Sequence, residues 1–257
     1  MDILDAIQGH RSIRRFKTDP VPQHLLDEIL GAGIRAASYG NMQSYSVVVS
    51  RDQETRERLF IPLKHQNMVR TAPIQATFCS DFRRMRKWLA RNDAPDNFDD
   101  FFAFMVGAVD ACLVAQNVAL AAESHGLGVC FIGATLANAD QVGEVLELPE
   151  GVVPVTGMSI GWPDEDPAPR DRLPASGLVH YERYHDHDDA EIAEIYRERN
   201  TAGWDRYMSR PRLRRQITES GATNLAQVYT TIKYTPDDHD RHSASLLTYL
   251  RKQGFLA

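Results

Sequence analysis

The sequence predicts a layered α/β or α+β domain. Short β-branched or aromatic runs alternate with long stretches of helical periodicity, and one of those helices is apolar almost throughout. The strand runs are residues 46–49, 74–79, 129–133 and 152–160.

In chain order, a short helical pattern over 2–8 carries Ile3, Leu4 and Ile7 on one side and runs into the polar cluster His10-Arg11-Ser12-Ile13-Arg14-Arg15. After the turn signal Asp19-Pro20-Val21-Pro22, the positions Leu26, Ile29, Leu30, Gly33, Ile34 and Ala37 recur every three or four residues and mark a helix that stops at Ser38-Tyr39-Gly40-Asn41. A helix near 54–60 separates the first two strands. The apolar stretch 101–122 has nearly a membrane helix's length, but Asp110, Gln116 and Asn117 interrupt it and would be expensive in lipid. It therefore reads as a helix buried in protein, against the sheet or at a subunit interface, and no membrane partner is expected. Its end at His125-Gly126 uses glycine as terminator, and the third strand, a helix over 138–146 and the fourth strand follow. Beyond Gly161-Trp162-Pro163, Pro163, Pro167, Pro169 and Pro174 among acidic residues make an extended arm. Polar helices return from about residue 188. These features predict a core over 1–180 and a C-terminal helical extension over 181–257 that lids the site or clasps a second subunit.

The 257 residues are 43% hydrophobic and 25% charged, an ordinary globular balance. Against 35 acidic residues stand 29 Lys and Arg, a net charge of −6, which is the wrong sign for tracking a nucleic-acid backbone. Cys79, Cys112 and Cys130 cannot all pair within one chain, and each lies in an apolar run, so they read as reduced core thiols of a cytoplasmic protein. The acidic start, Met1-Asp2-Ile3-Leu4-Asp5, lacks the basic and apolar regions of an export signal.

Three motifs invite chemistry and lack its context. Gly157-Met158-Ser159-Ile160-Gly161 matches the nucleophile elbow of hydrolases, but Trp162-Pro163 prevents a helix from starting on cue, so its small residues read as a place where a neighbour approaches closely. Gly31-Ala32-Gly33-Ile34-Arg35-Ala36 matches a dinucleotide fingerprint, yet it lies inside a helix and reads as a packing feature. His185-Asp186-His187-Asp188-Asp189 and Asp237-Asp238-His239-Asp240-Arg241-His242 contain metal-ligand types without a spacing that forces two imidazoles together. They read as solvated surface, and no metal is assigned.

Two basic clusters remain, His10-Arg11-Ser12-Ile13-Arg14 and Arg170-Asp171-Arg172, and guanidinium forks with a serine hydroxyl suit a phosphate monoester. His10 to Phe16, the loop Ser38-Tyr39-Gly40-Asn41-Met42-Gln43, and Gly161-Trp162-Pro163 through Arg170-Asp171-Arg172-Leu173-Pro174-Ala175-Ser176 together resemble the FMN-dependent nitroreductase superfamily, in its NADPH-dependent flavin reductase and oxygen-insensitive nitroreductase branch. The similarity runs in order along nearly the whole chain.

The resemblance implies a homodimeric α+β fold with a mixed central sheet and FMN sites built from both subunits. It implies that His10, Arg11 and Ser12 hold the FMN phosphate with Arg170 and Arg172, and that Arg14 lies near the pyrimidine edge of the ring, where a guanidinium stabilises the charge gained on reduction. Ser38, Tyr39, Asn41, Gln43 and Gln66 correspond to flavin contacts, and Ile132 and Gly133 bring backbone close to the ring. Arg199 corresponds to an arginine for the NADPH 2′-phosphate, with the choice between NADPH and NADH left open. The chemistry belongs to FMN, so no catalytic side chain is required. The implied activity is ping-pong transfer of two electrons from NAD(P)H to a nitroaromatic, quinone, azo compound or free flavin. The alternatives are a dehalogenating or biosynthetic enzyme of the same superfamily, or a module that binds and delivers flavin.

Overall fold

A computed structural model describes residues 3–256. The expected helix start at Asp2 and the acidic opening at Met1-Asp2 lie outside these. Two compact units are present, Met1–Ala168 with His242–Ala257, and Pro169–Arg241.

The first unit begins with α1 (Ile3–Gln8) and α2 (Gln23–Gly33), followed by β1 (Tyr45–Ser50) and α3 (Gln53–Phe60). Asp52 caps α3 by accepting the backbone N–H of Glu54 and Thr55 at 2.9 and 2.8 Å. Next come α4 (Asn67–Thr71), β2 (Ile74–Asp81), α5 (Arg83–Arg91) and α6 (Phe101–Ser124). The remainder is β3 (Gly128–Ile132), α7 (Ala134–Ala137), α8 (Ala139–Val145) and β4 (Val152–Gly161). All four predicted strands form, each within two residues of its expected bounds. The helices α4 and α5 were not expected: α4 is only one turn long, and α5 is rich in arginine with no buried residue.

The sheet order is β1-β2-β4-β3, and every pairing is antiparallel. This corrects the expected mixed sheet. β2 and β3 do run the same way, but β4 lies between them, so no parallel pair forms among the described residues. β2 is buried along its whole length, and α6 packs across it and β4. One face of α6, including Val114, Ala115, Val118 and Ala119, enters the main core with Phe78, Met158 and Ile160. α6 has the length and composition of a membrane span, and half of its apolar window is buried inside the protein. Its terminator is as predicted, with Gly126 at φ +79°.

The misleading glycine motifs resolve into packing. A Cβ on Gly33 would lie 2.4 Å from Val118 Cγ2 of α6, whereas Gly31 has open space around it. Gly157 and Gly161 lie within β4, where a Cβ would meet Thr135 Oγ1 at 2.7 Å and Pro73 Cδ at 2.4 Å. Cys79 and Cys130 are buried, but Cys112 is exposed on the outward side of α6, contrary to expectation.

The second unit contains α9 (Asp189–Met208), α10 (Pro211–Ser220), α11 (Leu225–Val228) and the start of α12 (Pro236–Lys252). The sequence reading drew one boundary at 180/181; the compact units divide at 168/169 and again at 241/242. The arm belongs with the helices after it because Asp171 pairs with Arg199 and Arg206, and Gly177 lies tight against Ile195. The end of α12 and its tail return to the first core through Tyr249, Leu250 and Phe255. Burial there pushes the Tyr249 hydroxyl up to about 12.

Candidate functional site

The basic segment after α1 is laid along the sheet by backbone pairing. Ile13 N–H donates to Val129 O of β3 at 2.9 Å, Lys17 N–H to Trp162 O at 2.9 Å, and Asp164 N–H to Arg15 O at 3.0 Å. Gly128 makes this possible, since a Cβ there would lie 2.6 Å from the Ile13 side chain. Ile132 and Gly133 end the same strand, three and four residues beyond Val129, or roughly 10–13 Å along it at ~3.3 Å per residue. Ile132 is buried, while Gly133 is exposed and a Cβ on it would touch nothing within 4 Å.

Acidic side chains fix the basic segment. His10 Nδ1 lies 2.7 Å from Glu123 Oε1, at the end of α6. Arg11 Nη2 lies 2.5 Å from Asp166 Oδ1, and Arg11 Nη1 donates to Gly9 O at 3.0 Å. Glu165 accepts the backbone N–H of Arg14 at 2.5 Å and of Arg15 at 3.1 Å. Arg14 Nη1 donates to Ser12 O at 3.3 Å. Burial pushes the Cys130 thiol above its ordinary value despite the nearby Arg14 charge, which disfavours the thiolate. A cavity of about 250 Å³ beside Arg11 is lined by Gly9, Ile13, Gly128 and the carboxylates Asp5, Glu123, Glu165 and Asp166.

A dianionic phosphate group fits the donors His10, Arg11 and Ser12. Arg11 Nε is buried with no hydrogen-bond partner. Its Asp166 partner is 82% exposed, and such surface pairs are worth only about 0–1 kcal/mol, so a phosphate can displace it.

The predicted loop at 38–43 is organised by a different element. Asp110, buried within α6, accepts Tyr39 N–H at 2.9 Å and Ser44 N–H at 3.2 Å. Gly40, Asn41 and Gln43 have φ of +54°, +55° and +54°, and Gln43 Nε2 donates to Asn41 Oδ1 at 3.2 Å. Arg84 Nη2 closes the loop by donating to Gln43 O at 2.6 Å. Ser38, Tyr39, Asn41 and Gln43 thus form one pre-shaped loop that does not line the cavity beside Arg11. Gln66 is half-buried at the start of α4, where Nε2 donates to Leu63 O at 2.9 Å.

Arg170, Arg172 and Arg199 belong to the second unit. Arg172 Nη1 folds back on the carbonyls of Arg170 and Asp171, both at 3.2 Å. Asp171 anchors Arg199 through Nε at 3.2 Å and Arg206 through Nη1 at 3.1 Å, leaving one net positive charge in the trio. Burial raises the Asp171 carboxyl, but the hydrogen bond from Arg206 and the two guanidinium charges outweigh it and hold it below the usual carboxylate range.

Sequence reasoning missed the residues that hold this machinery: Asp110, Glu123, Glu165, Asp166, Asp171 and Arg206. A lone acid inside an apolar helix was a visible signal for Asp110. Arg206 stands seven residues after Arg199, on the same face of α9, which was also a legible spacing. Glu165 reaches partners some 150 residues away, and no local pattern announces that.

A family model described as the nitroreductase family matches residues 7–162. Across 99% of its length the chain is 32% identical to the FMN reductase [NAD(P)H] of Bacillus subtilis (strain 168), covering 98% of that protein. It is 38% identical to the NADPH-flavin oxidoreductase of Vibrio harveyi over 70% of this chain and 74% of the other. The structure is similar to the NfrA1 nitroreductase of B. subtilis, with a TM-score of 0.85, 26% identity and 99% coverage of each chain.

Proposed function

This chain belongs to the nitroreductase family, and we infer that it works as an FMN-dependent NAD(P)H oxidoreductase passing two electrons to a small-molecule acceptor: a nitroaromatic, quinone, azo compound or free flavin. The observation that carries this reading is the fixed basic segment His10–Arg14, pinned to β3 through Val129 and held by Glu123, Glu165 and Asp166. When bound, FMN would supply the two-electron chemistry between nicotinamide and acceptor.

The side chains bind and orient. His10, Arg11 and Ser12 hold the phosphate through charge-assisted hydrogen bonds. Arg14, its backbone pinned by Glu165, presents a guanidinium to the pyrimidine edge, a preorganised charge that needs no reorganisation during turnover. Gly133 admits the ring close to the backbone, and the loop Ser38, Tyr39, Asn41, Gln43 with Gln66 supplies polar contacts. The assignment of Arg170 and Arg172 to the phosphate, and of Arg199 to the NADPH 2′-phosphate, rests on the resemblance.

The working unit in this reading is a homodimer in the cytoplasm. Phe101, Met105, Val109 and Leu113 are exposed at steps of four along α6, and Ile3, Leu4 and Ile7 of α1 are exposed as well. An apolar stripe of that length is a surface for a partner, and in this reading the partner is a second copy of the chain, as the resemblance implies.

The test is an absorption spectrum of the purified protein followed by anaerobic titration with NADPH and NADH. A flavin spectrum bleached by either donor, steady NAD(P)H oxidation only with an acceptor, and parallel double-reciprocal lines are expected. Colourless protein with no affinity for FMN overturns the reading. Bleaching without acceptor turnover would make the chain a carrier of flavin instead.

A further inference from the structure

The second unit holds a cluster that the flavin chemistry does not use. His185 Nε2 lies 2.9 Å from Glu191 Oε2, and His187 Nδ1 lies 3.6 Å from the same oxygen. The ligand atoms of His185, His187 and Glu191 all fall within 4.8 Å of one another, with the two imidazole planes at 82°.

A helix cap explains only part of this arrangement. Asp188 and Glu191 form a reciprocal capping box at the start of α9: Asp188 accepts the N–H of Ala190 and Glu191, and Glu191 accepts the N–H of Asp188 at 3.0 Å. Neither imidazole is needed for that. Yet both ring nitrogens of His187 are buried without a hydrogen-bond partner, and its side chain is only 12% exposed. A buried imidazole with two unsatisfied nitrogens is costly unless something binds it. His180 Nδ1 accepts the backbone N–H of His185 at 3.1 Å, which fixes the loop that presents His185.

We propose that His185, His187 and Glu191 bind one divalent transition-metal ion of the Zn²⁺ class. Bonds of about 2.05 Å at tetrahedral angles separate neighbouring ligand atoms by about 3.3 Å; the two imidazole–carboxylate separations of 2.9 and 3.6 Å are near this, and the imidazole pair, within 4.8 Å, closes by side-chain rotation. Two imidazoles and one carboxylate suit Zn²⁺ better than the all-oxygen sites of Ca²⁺ or Mg²⁺. Three protein ligands leave the fourth position to water. The ion would clip the loop at 180–187 to the first turn of α9, a structural role independent of the flavin.

The test uses the full-length chain without an affinity tag, stripped with a chelator and titrated calorimetrically with Zn²⁺. One ion per chain is expected. His187→Gln and His185→Gln should each weaken binding at least about tenfold, whereas His239→Gln, in the other histidine-aspartate cluster, should not. Circular dichroism checks that each variant folds. On the unaltered chain, the imidazole nitrogen resonances of His185 and His187 should be those that shift with Zn²⁺, which keeps the test decisive if a variant unfolds. Absence of saturable binding, or shifts confined to other histidines, overturns the proposal.

Discussion

Replacing Asp110 with alanine should loosen the 38–43 loop and destabilise the first unit together. The side chain is 1% exposed, and its two oxygens accept the N–H groups of Tyr39 and Ser44. The Ser44 N–H is fully buried, so losing its acceptor costs about 1–3 kcal/mol, whereas the Tyr39 N–H lies nearer solvent and can recover water, costing about 1 kcal/mol. The sum is about 2–4 kcal/mol, which for a chain of this size lowers Tm by roughly 4–16 °C. Thermal unfolding with and without FMN, together with fluorescence titration of the flavin, measures both effects. Asp110→Asn retains the volume and one acceptor and should fall between parent and alanine. Melting of Asp110→Ala within about 1 °C of the parent, with unchanged FMN affinity, would refute the strapping role.

Arg199→Ala should raise KM for NADPH far more than KM for NADH in steady-state assays, and equal effects on both donors would remove Arg199 from 2′-phosphate recognition. Because the Asp171 carboxyl is held below its ordinary range, its contribution is complete above the unfolded pKa and disappears as pH falls through the folded one. Denaturation curves of the parent and Asp171→Asn should therefore differ at neutral pH and converge in acid; a gap that persists into acid counts against the network. Gly33→Ala places a methyl 2.4 Å from Val118 Cγ2 and should cost about 1–3 kcal/mol, while Gly31→Ala, in open space, should be neutral or stabilising by up to about 1 kcal/mol. Equal effects in chemical denaturation would show that close α2–α6 packing is not what selects glycine at position 33.

The elements whose signals are local were readable in advance. The strand at 74–79 was marked by Ile74, Thr77 and Phe78 in a short uncharged run, and β2 is buried along its whole length. Gly126 marked the end of α6 because few other residues take φ near +79° cheaply. What could not be read depends on long-range placement. The antiparallel sheet follows from β4 inserting between β2 and β3, which no strand's composition specifies. Cys112 sits in as apolar a run as Cys79, and only the orientation of α6 separates the exposed thiol from the buried one. At the site, His10 to Arg14 were recognisable as donors, but their acidic holders Glu123, Glu165 and Asp166 come from distant stretches of chain. Arg172 was assigned through the family resemblance, and its hydrogen bonds to the Arg170 and Asp171 carbonyls emerged only with the backbone.

The return of Tyr249, Leu250 and Phe255 to the first core has a bearing on biosynthesis. These side chains follow all of Pro169–Arg241 in the order of translation, so the nascent sheet and α6 emerge from the ribosome long before their last apolar partners do. Phe82, Phe98 and Phe104, the aromatic neighbours among which Phe255 closes, must wait partly uncovered, and chaperone occupancy should concentrate in that interval.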